Sequence, residues 1–272
     1  MQGRVTGLAI YPVKSCQGIK LAEMQITARG PKFDRQWMLV DSENKFITLR
    51  TVPKLAEIKT AIQGPFLHLY AGSNKILVNL DEDCASTEDV TIWGDVVKAG
   101  IENKSINEAL SEFLVKTVKL VRYQKESFRD LERAATEAVK ETMFSDSRPA
   151  LLVNENSLHD LNEKLKLKNA APSVIERFRA NIVVNGLPAY FEDQLQEVKI
   201  GNINFKNPKL CARCPVITQD VDTGKVVSKE TLQTLAETRK KPGTASVPFG
   251  VNLTPEMTGV IRIGDPVIIA VL

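Results

Sequence analysis

The residues of this chain that could do chemistry concentrate in one run, Lys209-Leu210-Cys211-Ala212-Arg213-Cys214-Pro215, which holds two of only four cysteines. Thiolates are the side chains that soft metals prefer, so metal or redox chemistry is expected here first. A Cys-x-x-Cys pair serves as half of a zinc site, as a redox disulfide, or as a place where one thiolate holds a soft metal. Zinc needs two further nitrogen or sulfur ligands, and Cys16, Cys84, His68 and His159 are isolated and not at finger spacing. A thioredoxin-like site belongs to a βαβ pattern, whereas Val216-Ile217-Thr218 after Pro215 reads as a strand. Two small buried residues at a strand end are an equally weighted alternative on spacing alone. Arg213 tilts the balance towards chemistry, because a nearby cation favours the thiolate.

The elements that must position this run are mostly strands. Short stretches rich in β-formers fall at 5–11, 21–27, 36–40, 46–50, 66–70, 75–80 and 90–98, separated by turn signals such as Asp41-Ser42-Glu43-Asn44 and Gly72-Ser73-Asn74. Helical periodicity appears at 106–115, 128–139, 157–165 and 229–239. Strands return at 182–184, 198–200, 203–205, 216–221, 226–227, 260–263 and 267–271, with Gly201-Asn202 and Asp222-Thr223-Gly224 supplying tight turns. This predicts a mostly β protein of the α+β class, with two β-barrel-like parts and covering helices. The predicted division is an N-terminal β-barrel domain at 1–100, a helical connector at 101–145 and a second domain at 146–272.

Composition limits the function classes. With 43% hydrophobic and 25% charged residues the chain is globular rather than disordered. A net charge of only +3, with no long basic run, argues against nucleic acid as a partner. No apolar run approaches the length of a membrane span, and the start has no signal-peptide pattern, so no membrane partner is expected. Four scattered cysteines make a reducing cytoplasm the default location.

An ordered series of fragments then narrows the reading: Tyr11-Pro12-Val13-Lys14-Ser15-Cys16-Gln17-Gly18, Phe33-Asp34-Arg35-Gln36-Trp37, Ile47-Thr48-Leu49-Arg50, Phe144-Ser145-Asp146-Ser147 with Pro149, Phe178-Arg179-Ala180-Asn181, Glu192-Asp193, the Cys-x-x-Cys run, Phe249-Gly250 and Ile263-Gly264-Asp265-Pro266. Over nearly its whole length the chain resembles the MOSC family, and within it the amidoxime-reducing proteins of bacteria and mitochondria.

The resemblance implies a molybdenum cofactor, molybdopterin, whose dithiolene supplies two sulfurs to the metal while the protein supplies one cysteinate. The family's ligand is the second cysteine of the motif, which maps to Cys214 as metal ligand and catalytic residue. Lys14, Ser15, Arg35, Ser145, Asp146, Ser147, Arg179 and Asn181 would hold the pterin and its phosphate, and a phosphate does want cations and short polar donors. The implied activity is reduction of small N-hydroxylated compounds, amidoximes and hydroxylamines, by a molybdenum-dependent oxidoreductase. Its electrons would come from a separate protein, a flavin, ferredoxin-like or cytochrome donor. Two departures stand at the pocket rim: Ala212, where relatives often carry a hydroxyl, and Arg148, where they tend to be smaller. Asp220 and Asp222 are candidate proton carriers, with a turn role preferred for Asp222. Two other classes stay open, a cysteine persulfide sulfur carrier and a non-catalytic anion-binding module.

Overall fold

The computed structural model describes residues 2–131, 135–240 and 243–269. Seven strands close a barrel. In spatial order they are Gln2–Ile10, Ile182–Asn185, Ala150–Asn154, Pro248–Pro255, Ile203–Ala212, Val198–Ile200 and Pro266–Ile269, which returns to Gln2–Ile10. All neighbours are antiparallel except Ala150–Asn154 with Ile182–Asn185. A parallel pair needs a crossover, and the helix Glu155–Leu167 lies within this one.

Alternation along the strands sorts the side chains. Ala150 and Leu152 point into the barrel core with Val5, Ile182, Phe205 and Val251, whereas Leu151 and Val153 face outward. The outward pair packs with Leu161 and Leu165 of the helix Glu155–Leu167 and Leu235 of the helix Glu230–Arg239. Both helices thus cover one wall of the barrel.

Ile19–Leu21 pairs with Gln2–Ile10 beside the barrel, and the other strands form a four-stranded sheet, Trp37–Val40, Lys119–Arg122, Asp95–Ile101 and Ser86–Ile92, and two three-stranded sheets. Trp37–Val40 is buried on both faces: Trp37 and Leu39 pack with Leu67, Leu69 and the helix Lys104–Leu114, and Met38 and Val40 with Val90, Val97 and Phe144. Strands buried this way read as continuous apolar runs.

Four expectations need correction. The N-terminal boundary at residue 100 does not follow the sheets, because Gln2–Ile10 completes the barrel of the C-terminal half. The stretch 101–145 is not uniformly helical: after Lys104–Leu114 it contributes Lys119–Arg122 to the four-stranded sheet. The helix expected at 128–139 includes 132–134, outside the described residues. Its described parts form no helix, because Asp130 bridges Glu141 and the Leu131 amide bonds to the Lys140 carbonyl. The strand expected at 46–50 is only begun: Phe46 bridges Val40 and the Ile47 amide bonds to the Leu39 carbonyl, after which the chain turns, with the Thr51 and Val52 amides both bonding to the Thr48 carbonyl.

Candidate functional site

Register shifts between Lys206 and Lys209 and between Leu210 and Ala212 bend the strand Ile203–Ala212 as it reaches Cys211. Bulges of this kind re-aim side chains beside functional sites. The chain runs extended through Cys214, and Pro215 then opens the 3-10 turn Pro215–Thr218, with the Ile217 amide bonding back to the Cys214 carbonyl at 3.3 Å. The strand expected at 216–221 is therefore absent: Pro215 has no donor for a ladder and its fixed φ suits a turn. Arg213 braces the corner, its Nε donating to the Phe249 carbonyl at 2.8 Å and its Nη1 to the Phe178 carbonyl at 3.0 Å. Gly250, at φ 74°, leaves room for this brace, since a Cβ there would lie 2.7 Å from the Leu152 carbonyl oxygen and 3.3 Å from Arg213 Nη2.

Cys214 faces a cavity of about 350 Å³, and every other residue predicted for the site lines it too: Lys14, Ser15, Arg35, Ser145, Asp146, Ser147, Arg179 and Asn181. Residues far apart in sequence meet here because the barrel and the N-terminal sheets each contribute a wall. Eight lysines and arginines line it against the single carboxylate of Asp146, so the cavity suits an anion. Its backbone is also strained. Ser15, Arg35, Trp93 and Arg179, four of the ten non-glycine residues with positive φ among the described residues, all line it. Each such residue costs about 1–2 kcal/mol, a cost that collects at functional sites.

Lys14 is only 5% exposed, and its Nζ donates to the Phe144 carbonyl at 2.9 Å and to the Asp146 carboxylate. Burial pulls its pKa down, with Asp146 opposing. For Asp146 the cavity wall favours the neutral acid, but Lys14 and the Trp93 indole, 3.1 Å away, outweigh it and hold the carboxyl below its usual range. Asp146 is thus a carboxylate at neutral pH, able to accept a proton or hydrogen bond but not to donate one.

Arg35 and Asn181 line the cavity, yet their polar atoms are turned to internal use. Arg35 Nη1 donates to both oxygens of Asp34 and Nη2 to the Arg179 carbonyl at 3.0 Å. Asn181 Nδ2 donates to the Ala9 carbonyl and Asp34, and its Oδ1 accepts from the Leu151 amide and Arg35. Arg35 thereby holds the backbone of Arg179, and Asn181 holds Arg35. Arg179 Nη1 donates to the Cys16 carbonyl at 2.8 Å, its guanidinium lies over Tyr11, and its Nη2 is buried without a partner. Burial and the nearby Arg35 lower its pKa, although an arginine keeps its charge regardless. Arg213 Nη2 is buried and unpaired as well.

Asp220 and Asp222 line a neighbouring cavity of about 320 Å³ and not the one that Cys214 faces. Asp220 shapes the turn, accepting from the amides of Asp222 and Thr223, while Asp222 accepts from Gln17 Nε2 at 3.1 Å. The turn role preferred for Asp222 belongs to Asp220.

Sequence reasoning missed Trp93 and Arg177 as cavity residues. Trp93 stands at the tip of the hairpin between Ser86–Ile92 and Asp95–Ile101, a span expected to be one strand. Gly94-Asp95 was the available turn signal. Arg177 had no signal beyond its nearness to Arg179.

The profile described as MOSC N-terminal beta barrel domain matches residues 2–117, and that described as MOSC domain matches residues 139–268. The human mitochondrial amidoxime-reducing component 1 is 33% identical, over 97% of this chain and 82% of its own length. The rice molybdenum cofactor sulfurase is 32% identical over 92% of this chain, which spans only 32% of that longer protein. Among solved structures, the YUAD protein from Bacillus subtilis covers 98% of this chain at 10% identity, with a TM-score of 0.46.

Proposed function

This chain belongs to the MOSC family, and from that premise we propose that it is a molybdenum-cofactor-dependent reductase of small N-hydroxylated compounds, amidoximes and hydroxylamines. The observation that carries the reading is Cys214 facing a cationic cavity in which the guanidiniums of Arg179 and Arg213 keep buried, unpaired nitrogens. Buried donors without partners cost about 1–3 kcal/mol each, a cost that an anionic cofactor would relieve. The donor set fits such a group in a second respect. Among the described residues no three His, Cys, Asp or Glu side chains gather as metal ligands, so a metal on Cys214 would draw its other ligands from a cofactor.

In this reading the Cys214 thiolate holds the metal, and Lys14, Ser15, Arg179 and the loop Ser145-Asp146-Ser147 hold the pterin and its phosphate. Arg35 and Asn181 support them from behind through Arg179 and Asp34. When bound, the cofactor supplies the two-electron chemistry that, with two protons, converts an N–OH group into N–H and water. Arg213 fixes the approach of Cys214 through its bonds to Phe178 and Phe249. Asp146, ionised and pinned by Lys14 and Trp93, presents a hydrogen-bond acceptor to a substrate N–H or O–H.

The electron donor is a separate flavin, ferredoxin-like or cytochrome protein. The four cysteines are free thiols, in keeping with a reducing cytoplasm. No helix among the described residues is long and apolar enough to cross a membrane.

The test is molybdenum and pterin analysis of protein from a cofactor-competent host, with amidoxime reduction by an artificial electron donor. Stoichiometric cofactor with turnover is the expected result. The match to a sulfurase favours a second reading, a sulfur carrier, for which persulfide on Cys214 or Cys211 without metal would be found instead.

A further inference from the structure

Arg148 is a cation of the cavity wall with two buried nitrogens left without a partner. Its Nε and Nη1 are buried and unpaired, and among the described residues no carboxylate or carbonyl meets its guanidinium. Burial alone lowers its pKa, with no opposing charge. The one carboxylate in the cavity wall, Asp146, is already committed to Lys14 and Trp93. Burying part of a guanidinium without a partner is costly, and an anion that reaches it relieves that cost.

Arg148 follows the loop Ser145-Asp146-Ser147 directly but stands apart from Ser15 and Arg179. Ser15 and Arg179 lie where the two cavities meet, since both line each of them, whereas Arg148 lines only the cavity that Cys214 faces. Arg148 precedes the barrel strand Ala150–Asn154, in which Leu151 pairs with Asn252 and Asn252 in turn with Lys209. All three of those residues line the cavity, so a second cation, Lys209, stands on the same barrel wall.

We propose, on the basis of the reductase reading above, that Arg148 is a specificity residue that selects N-hydroxylated substrates bearing a carboxylate, which its planar fork would hold while the N–OH group is reduced near Cys214. Carboxylates match guanidinium geometry in a way that neutral substrates cannot.

The experiment uses cofactor-loaded protein without reductant, so that binding is read rather than turnover. Affinities of para-carboxybenzamidoxime and its methyl ester are compared by calorimetry. The wild-type chain should prefer the carboxylate by about tenfold or more, the range for one charge-assisted contact. Arg148→Ala should bring the ratio close to one, and Arg148→Lys should keep part of it. A wild-type ratio near one, or a ratio unchanged in Arg148→Ala, overturns the proposal. Loss of cofactor from Arg148→Ala overturns it too, because Arg148 would then serve the phosphate. Turnover of the ester by wild-type protein with an artificial donor tests the reductase reading separately, and its failure leaves the binding ratio to judge Arg148.

Discussion

Arg35 Nη1 donates to Asn181 Oδ1 at 3.1 Å across 146 residues of sequence. Both side chains also bond to Asp34, so a buried trio joins the N-terminal loop to the barrel directly behind Arg179. The cavity's geometry is set by this joint as much as by the residues that face it.

Asn181→Ala should therefore act first on stability. It strips the acceptor from the buried Leu151 amide and a donor from Asp34. The expected loss is about 2–4 kcal/mol, read as a lower urea midpoint with unchanged slope in cofactor-free protein. A change below about 0.5 kcal/mol would mean that the trio is not a joint.

Arg179→Ala and Lys14→Met should weaken cofactor binding, each by about 1.5–3 kcal/mol, because they remove charge-assisted donors. Occupancy under limiting cofactor measures this, with circular dichroism to check folding. If both variants keep full occupancy, the phosphate lies elsewhere.

The two cysteines should separate cleanly. Cys214→Ser replaces a soft ligand by a hard one and should abolish amidoxime reduction, while Cys211→Ser should keep substantial activity and molybdenum. Equal losses would favour a paired redox or zinc role.

Glu192 gives a pH signature. Its side chain is fully buried, Oε2 accepts from Ser157 and Asn154, and Oε1 has no partner. Burial raises its pKa above the ordinary 4.5, with the Ser157 bond opposing. The native state thus binds this proton more tightly than the unfolded chain, and the stability it lends below pH 4.5 is lost as pH climbs through the folded value. Glu192→Gln should flatten that decline and raise the unfolding midpoint at neutral pH. A parallel pH profile in both proteins would contradict it.

Much of this site was legible in the sequence because its parts are short, polar and attached to distinctive neighbours. Lys14-Ser15, Arg35, Arg179 and Cys214 could each be placed by fragment, and all line one cavity. What the sequence hid was direction. Nothing local says that Asn181 turns its amide towards Asp34 and Arg35, because those partners lie 147 and 146 residues away. The strand expected after Cys214 failed because the β preference of Val216-Ile217-Thr218 depends on context, and Pro215 decides the backbone. Trp93 was hidden inside an apolar run whose turn residues were passed over.

The barrel seam carries a consequence for synthesis. Gln2 pairs with Ile268, so during synthesis the strand Gln2–Ile10 finds one of its two barrel neighbours only once Pro266–Ile269 has been made. At about 5–20 residues per second, that wait lasts roughly 10 to 50 seconds. Throughout it, Val5, Leu8 and Ile10 have no closed core to enter. Chaperone demand should therefore peak during translation, and an early stop that spares the cavity residues but removes Pro266–Ile269 should release an open-edged, aggregation-prone chain.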